Sequence, residues 1–325
     1  MKTLKEIANI AGVSAMTISR YFSSPEKLSK STYDKIKTLV DEYHYTPNML
    51  AKSLITKKSH LIGVVIPDIR NPFFSRLYYG LENILEPMGY SLMLCNSRES
   101  SQKEKEYLQL LISRQVEGIF LVPVNENNVE LLIKRKRRFV LIERSADSTK
   151  TNTVSSDHYQ GAYMAVEHLI RLGHRNIALL CGNTEIKPYR DRLRAYKDAL
   201  KAFVIPENNE LICESEITIE SSEKAFHELL SKKLGITAVF SCNTMMSFGA
   251  INAIYKSNLT IPGDISFAAF DELPGIELLI PSITCVFQDT KKLAESAVEL
   301  LLKQTLKEDS LNSHIEVPVT LRKGI

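Results

Sequence analysis

The sequence predicts an α/β protein in two parts: an N-terminal three-helix domain of the helix-turn-helix kind, then a bilobed core of two doubly wound parallel sheets. Three observations carry this. Two short capped helices joined by three residues open the chain, short β-branched runs alternate with amphipathic segments from Leu61 onward, and that alternation restarts after Asp157. With 44% hydrophobic and 24% charged residues over 325 positions, the composition is globular and excludes a disordered, collagen-like or disulfide-stapled chain. The start, Met1 to Glu6, is polar, and no apolar stretch approaches the roughly 18 to 20 residues of a membrane span, so a soluble, cytoplasmic protein is expected. Five cysteines, odd in number and far apart (Cys95, Cys181, Cys213, Cys242, Cys285), read as buried reduced thiols.

Charge is uneven along the chain. Residues 1–60 hold nine Lys and one Arg against three Glu and two Asp, a net +5, which leaves −2 of the total +3 for residues 61–325. A small basic module on a slightly acidic body suits a nucleic-acid reader, because phosphate attraction supplies most non-specific affinity. Thr3 and Glu6 form a capping box, and Leu4, Ile7, Ala8 and Ala11 follow at helical spacing, which predicts a helix over about 4–11. Gly12 permits a tight turn. Ser14 then caps a second helix to about Phe22, with Ile18 and Phe22 inward, and a third helix capped at Ser29 or Ser31 buries Ile36, Leu39, Val40 and Tyr43. In this motif the outward positions at the start of the second helix reach base edges in the major groove. Here they are Ala15, Met16, Thr17 and Arg20, with Ser14 placed to meet a phosphate. Three helices with a solvated basic face are the plainer reading of the same residues.

Past the third helix, Pro47 forces Thr46 extended, and Asn48 can cap a short helix behind it. A helix of about eight residues does not persist in water without partners. Residues 47–60 are therefore either a segment that folds on binding or a plain linker.

Four blocks stand in register: Thr3-Leu4-Lys5-Glu6-Ile7-Ala8, Ala11-Gly12-Val13-Ser14, Thr17-Ile18-Ser19-Arg20 and Tyr45-Thr46-Pro47-Asn48. Together they resemble the N-terminal signature of the lactose/galactose repressor (LacI/GalR) family. The resemblance implies a sequence-specific DNA-binding transcriptional regulator, expected to be a repressor, gated by a small-molecule effector of the sugar class. It also implies a homodimer on a palindromic double-stranded operator. The segment after Asn48 would be a hinge helix in the minor groove, with Leu54 wedging a base step, Ala51 allowing close approach, and Lys52 standing where family members often have Arg.

In the body, strands are predicted at Leu61–Ile66, Ser91–Cys95, Gly118–Val122, Phe139–Ile142, Ile177–Leu180, Thr237–Phe240 and Ile265–Phe270, between amphipathic segments such as Ser75–Met88 and Ala162–Leu172. There are too many such units for one sheet, so two similar lobes with a cleft at facing strand ends are expected. This resembles the periplasmic-binding-protein-like core of the same family. The expected organisation is a DNA-binding domain at 1–46, a hinge and linker at 47–60, and a core at 61–325. Lobe 1 takes about 61–157 and 290–316, and lobe 2 about 158–289 and 317–325, because the helix around Thr290–Leu306 is expected to return to the first lobe.

The core also carries family-like blocks: Asn71-Pro72-Phe73-Phe74, Glu167-His168-Leu169, Leu172-Gly173-His174, Arg192-Leu193, Asn243, Phe270-Asp271, and Pro281-Ser282-Ile283-Thr284 leading to Gln288. By that resemblance Arg192 and Asp271 are expected to bind the effector, a fork of donors and an acceptor carboxylate suited to hydroxyls. Asn243 and Gln288 rank next. Phe73 and Phe74 can offer an apolar face to a sugar ring in a chain without Trp. Each has a plainer use, the phenylalanines as core and Arg192 as partner of a nearby carboxylate. The chain departs from the family pattern at Thr244, where Asp commonly follows Asn, and at Glu143, where Asp is usual before Arg144.

Catalytic residues, cofactor and metal are not expected. His168 and His174 do not share a helix face, no His-x-x-x-His or Cys-x-x-Cys spacing occurs, and Gly-x-Gly, P-loop and Gly-x-Ser-x-Gly motifs are missing. The basic run Lys134–Arg138 reads as a solvated helix end, where cations suit the dipole. Two competing classes are a solute-binding protein for transport or chemoreception, which would want an export signal, and a sugar- or nucleoside-processing enzyme, which would want an acid/base pair. The chain shows no C-terminal heptad extension, so a dimer is expected over a tetramer.

Overall fold

The computed structural model describes residues 2–45, 59–145, 151–275, 283–304 and 313–324. The chain divides into two compact units, residues 1–59 and 60–325.

In the first unit α1 (Leu4–Ala11) opens on the Thr3/Glu6 capping box, and α2 (Ala15–Ser23) and α3 (Lys30–Glu42) open on the hydroxyls of Ser14 and Ser29. Each start is fixed by a local hydrogen bond to an otherwise unpaired amide. Gly12, at φ +63°, ends α1 in the left-handed region where other residues are strained. Ile7, Ala8, Ala11, Ile18, Ile36 and Tyr45 make the miniature core. Phe22, Leu39, Val40 and Tyr43 pack around it only half-buried, since so small a unit has little interior.

The second unit holds two six-stranded sheets. Lobe 1 is built from β1 (Leu61–Ile66), β2 (Ser91–Asn96), β3 (Gly118–Leu121), β4 (Phe139–Ile142), β5 (Thr153–Ser156) and β11 (His314–Val317), in the order β11-β5-β4-β3-β1-β2 and parallel throughout. Lobe 2 is built from β6 (Ile177–Cys181), β7 (Ile212–Glu214), β8 (Ala238–Ser241), β9 (Ser266–Phe270), β10 (Thr284–Phe287) and β12 (Thr320–Arg322), in the order β12-β10-β9-β8-β6-β7. Only β12 runs antiparallel there.

Helices cover both faces of each sheet, which is why the central strands are apolar throughout. On lobe 1, α4 (Pro72–Leu85) and α11 (Thr290–Lys303) bury one face while α5 (Ser101–Ser113) and α6 (Glu126–Lys134) bury the other. On lobe 2, α7 (His158–Arg171) and α8 (Lys187–Ala202) lie opposite α9 (Ile219–Ser231) and α10 (Thr244–Lys256). The chain passes between lobes three times: from β5 to α7, from β10 to α11 and from β11 to β12. Gly161 lets α7 approach its sheet closely, because a Cβ there would stand 2.8 Å from Val286 and 2.9 Å from Phe270.

Two helices begin earlier than their apolar periodicity shows, α4 at Pro72 and α7 at His158, each set by a side-chain cap at Asn71 or Asp157. The basic run splits in two. Lys134, Arg135 and Lys136 are exposed, whereas Arg137 donates to the Ile112 carbonyl and Arg138 to those of Leu301 and Leu302. These two arginines therefore serve the C-terminal ends of α5 and α11 rather than that of their own helix. All five cysteines are buried and free. Among the described residues no helix is long and apolar enough to cross a membrane, and no group of His, Cys, Asp and Glu is placed to hold a metal ion.

Candidate DNA-reading face and effector site

At the start of α2, Ser14 Oγ accepts from the Thr17 amide at 3.1 Å and shares a hydrogen bond with Thr17 Oγ1 at 2.9 Å. Its hydroxyl is thus engaged in the cap. Met16 (69% exposed) and Arg20 stand out into solvent, while Ala15 and Thr17 are half-buried, with Ala15 packed on the core. The outward face is therefore narrower than the spacing suggests and centres on Met16 and Arg20. Asn48, Ala51, Lys52 and Leu54 lie outside the described residues.

In the second unit, Phe73, Phe74, Arg192, Asn243, Asp271 and Gln288 all line one small cavity of about 40 Å³ at the floor of the cleft between lobes. Topology gathers them. In a parallel sheet the strand C-termini and the following helix N-termini share one edge, and Asn243, Asp271 and Gln288 stand just past β8, β9 and β10. Phe73 and Phe74 occupy the first turn of α4, their rings 5.2 Å apart at 77°, and both also belong to the lobe 1 core. Core packing and cavity lining are thus the same residues here.

Arg192 is buried on α8, where its guanidinium lies 3.5 Å from the Phe270 ring centroid. It donates to the Cys242 carbonyl and to His158 Nδ1, the latter at 3.0 Å. Its Nε has no partner among the described residues. Asp271 accepts from Gln288 Nε2 and, at 3.5 Å, from Thr244 Oγ1, so Thr244 hydrogen-bonds the carboxylate rather than adding a second acid. Burial pushes the Asp271 carboxyl up, with Arg192 and the Gln288 hydrogen bond pulling the other way. Gln288 Oε1 has no partner among the described residues. Asn243 caps α10 by accepting from the Met245 amide at 2.8 Å. Buried unpaired donors and acceptors are costly, and both of these orphaned atoms belong to residues that line the cavity.

Six further cavity residues were not among the sequence candidates: Asn71, Glu143, Arg144, His158, Pro188 and Tyr189. Glu143 Oε2 stands 3.0 Å from His158 Nε2, and Glu143 Oε1 accepts from the Ser156 amide and hydroxyl, both at 3.0 Å. Burial works to raise the Glu143 carboxyl, yet His158, Arg192 and the Ser156 amide outweigh it and hold it below its ordinary range. Arg144 donates in bidentate fashion to Glu99, at 2.8 and 2.6 Å. Glu99 belongs to a turn whose two central residues, Arg98 and Glu99, both have positive φ, closed by the Ser100 amide on the Ser97 carbonyl. The sequence signals for this group were Asn71, inside a family-like block, and Glu143 before Arg144, as a departure from the family pattern. Above the cavity the cleft opens to about 1190 Å³, with Asp68, Asn96 and Asn125 on the lobe 1 wall and Asn183, Glu216 and Thr218 on the lobe 2 wall.

Residues 3–48 match the family described as bacterial regulatory proteins, lacI family, and residues 59–322 match the family described as periplasmic binding proteins and sugar binding domain of the LacI family. A relative from Aliivibrio fischeri (strain MJ11), named HTH-type transcriptional repressor PurR, is 30% identical over 314 residues, covering 95% of this chain and 93% of its own. Among solved structures, the Lac repressor dimer bound to operator and the anti-inducer ONPF aligns with a TM-score of 0.85 at 27% identity, over 99% of this chain and 98% of that one. A LacI family transcriptional regulator from Enterococcus faecium with bound ribose aligns at 0.72 and 28%, over 81% and 97%. Both parts of the chain match in order, and a repressor relative is covered almost end to end; this protein belongs to the LacI family, whose members are effector-gated DNA-binding transcriptional regulators and not enzymes.

Proposed function

We propose that this protein is a repressor that binds a two-fold symmetric operator as a homodimer and responds to a neutral sugar held between its lobes. The observation that carries the effector reading is the convergence of Arg192, Asp271 and Gln288 on one cavity with a donor, Arg192 Nε, and an acceptor, Gln288 Oε1, unpaired among the described residues. A ligand with vicinal hydroxyls donates and accepts at adjacent atoms and can satisfy both, with Phe73 and Phe74 against its apolar face. The ribose held by the Enterococcus faecium relative and the operator held by the Lac repressor support the two halves of this reading. Met16 and Arg20 centre the major-groove reader, flanked by Ser14, Ala15 and Thr17, and Asn48, Ala51, Lys52 and Leu54 are assigned to the minor-groove hinge. A solute-binding role would leave that reader without use. The test is a mobility shift of the full chain on its own upstream DNA, with and without D-ribose, D-galactose and cellobiose. A retarded band that any of the three alters is the expected result, and no shift on that DNA would refute the operator reading.

A further inference from the structure

His158 opens α7 almost wholly buried, with a charged group against each ring nitrogen. Nδ1 is 3.0 Å from Arg192 Nη2, and Nε2 is 3.0 Å from Glu143 Oε2, off the line of a strict hydrogen bond. A guanidinium has donors only and keeps its charge, so the ring atom facing Arg192 must offer a lone pair. The imidazole is therefore held neutral, its proton on Nε2 toward Glu143 and Nδ1 bare toward Arg192. A second proton would sit on Nδ1, set N–H against N–H and bring two cations into contact where water cannot screen them.

The surroundings leave few other influences. The titratable or charged groups that line the cavity with His158 are Glu143 and Arg144 after β4, Tyr189 and Arg192 on α8, and Asp271 after β9, and the Cys242 thiol beside Arg192 is kept un-ionised by burial. Arg144 is tied to Glu99, Tyr189 is kept un-ionised by burial, and Asp271 is occupied by Gln288. Glu143 thus favours the imidazolium and Arg192 opposes it. The position of Glu143 is itself enforced. It sits at φ +65° in a three-residue turn closed by the Arg144 amide on the Ile142 carbonyl at 2.7 Å, a conformation that persists only where neighbours impose it.

We propose that His158 is a proton-operated positioning residue for Arg192: uncharged, it holds the guanidinium in the effector cavity, and on protonation it turns to Glu143 and displaces the guanidinium, so that effector affinity falls in acid. This rests on Arg192 being an effector contact, and the test keeps the two ideas apart. In the full chain labelled with 15N-histidine, with His158 identified by the signals lost in His158→Gln, the ring at pH 7.5 should show a bare Nδ1 and a protonated Nε2. An Nδ1–H tautomer or an imidazolium at that pH overturns the gate whatever the effector is.

The second measurement is calorimetric titration of D-ribose, D-galactose and cellobiose at pH 7.5 and 5.5. For a sugar that binds, coupling to one proton lowers affinity by up to about tenfold per pH unit below the titration. His158→Gln, whose amide can accept from Arg192 and donate to Glu143, should bind equally at both pH values. In Glu143→Gln the fall should move to lower pH, because the carboxylate that favours imidazolium is gone. The same fall in His158→Gln as in the parent overturns the proposal. If none of the three sugars binds, it is the sugar reading that fails, and the tautomer alone decides the gate.

Discussion

Gln288 and Asp271 meet just beyond the ends of adjacent strands, Gln288 Nε2 donating to Asp271 Oδ1 while Gln288 Oε1 has no partner among the described residues. β9 and β10 pair in parallel register, so the residues that follow them stand side by side at the cleft floor. One amide thereby fixes the carboxylate and presents a spare acceptor beside it.

Asp271→Asn should stabilise the unliganded protein at pH 7 and weaken effector binding. Burial raises the carboxyl, and a group whose folded pKa is raised contributes stability below its unfolded value, which is lost as pH rises through the folded one. Negative charge on this buried carboxyl therefore works against the fold. Asn removes that charge, and it tolerates the φ of +79° that position 271 demands. Losing a charge-assisted hydrogen bond worth roughly 1.5–3 kcal/mol predicts effector binding weaker by about 10- to 150-fold. Scanning calorimetry and titration with a bound sugar check both signs, and a variant that loses stability as well as affinity would make Asp271 a structural residue.

Arg20→Ala should cost about 1–3 kcal/mol on the specific operator and little on random DNA. Arg20 is exposed on the outer face of α2, free to form a bidentate contact with guanine. Fluorescence anisotropy on both duplexes at one salt concentration measures the difference. Equal losses would assign Arg20 to phosphate.

The helix starts were legible because capping is local: Thr3 with Glu6, Ser14 with Thr17, and Ser29 with Thr32 lie within one turn. Strands β5, β7, β10, β11 and β12 were not read from the sequence. Thr153–Ser156 has a single large apolar residue, β7 and β12 have three residues each, and His314–Val317 is a strand only because it pairs with β5 some 160 positions earlier. The six candidate effector residues were legible through family-like blocks at strand ends. The Glu143–His158 contact was not, because β5 and the crossing into α7 must form before the two side chains meet.

Within the basic run, Arg138→Gln should destabilise by about 1–3 kcal/mol and Lys134→Gln by less than about 0.5. Arg138 closes the exposed end of α11 through two carbonyls, whereas Lys134 makes a surface pair with Glu130 one turn away. Urea unfolding of the two variants gives the comparison. Equal midpoints would show that the fork on Leu301 and Leu302 adds nothing.

Native protein at pH 8 should resist thiol-directed reagents at all five cysteines until it unfolds. Burial pushes the thiols of Cys95, Cys213 and Cys285 up to about 11 and raises that of Cys242 as well, which leaves them almost no reactive thiolate, and Cys181 is shielded by its burial. Absorbance-monitored labelling with and without denaturant counts the reactive groups. Fast reaction of any one of them in the native state would contradict this burial.

The three crossings between lobes also set an order for synthesis on the ribosome. Lobe 1 has most of its strands once Ser156 has emerged, but the strand that covers its open β5 edge, His314–Val317, is made about 160 residues later. At roughly 5–20 residues per second, that edge waits on the order of ten seconds with its amides and carbonyls unpaired. The hazard falls on the nascent chain rather than on the finished protein. The polar side chains of Thr153, Ser155 and Ser156 make this delayed edge a poor template for sticking to other chains.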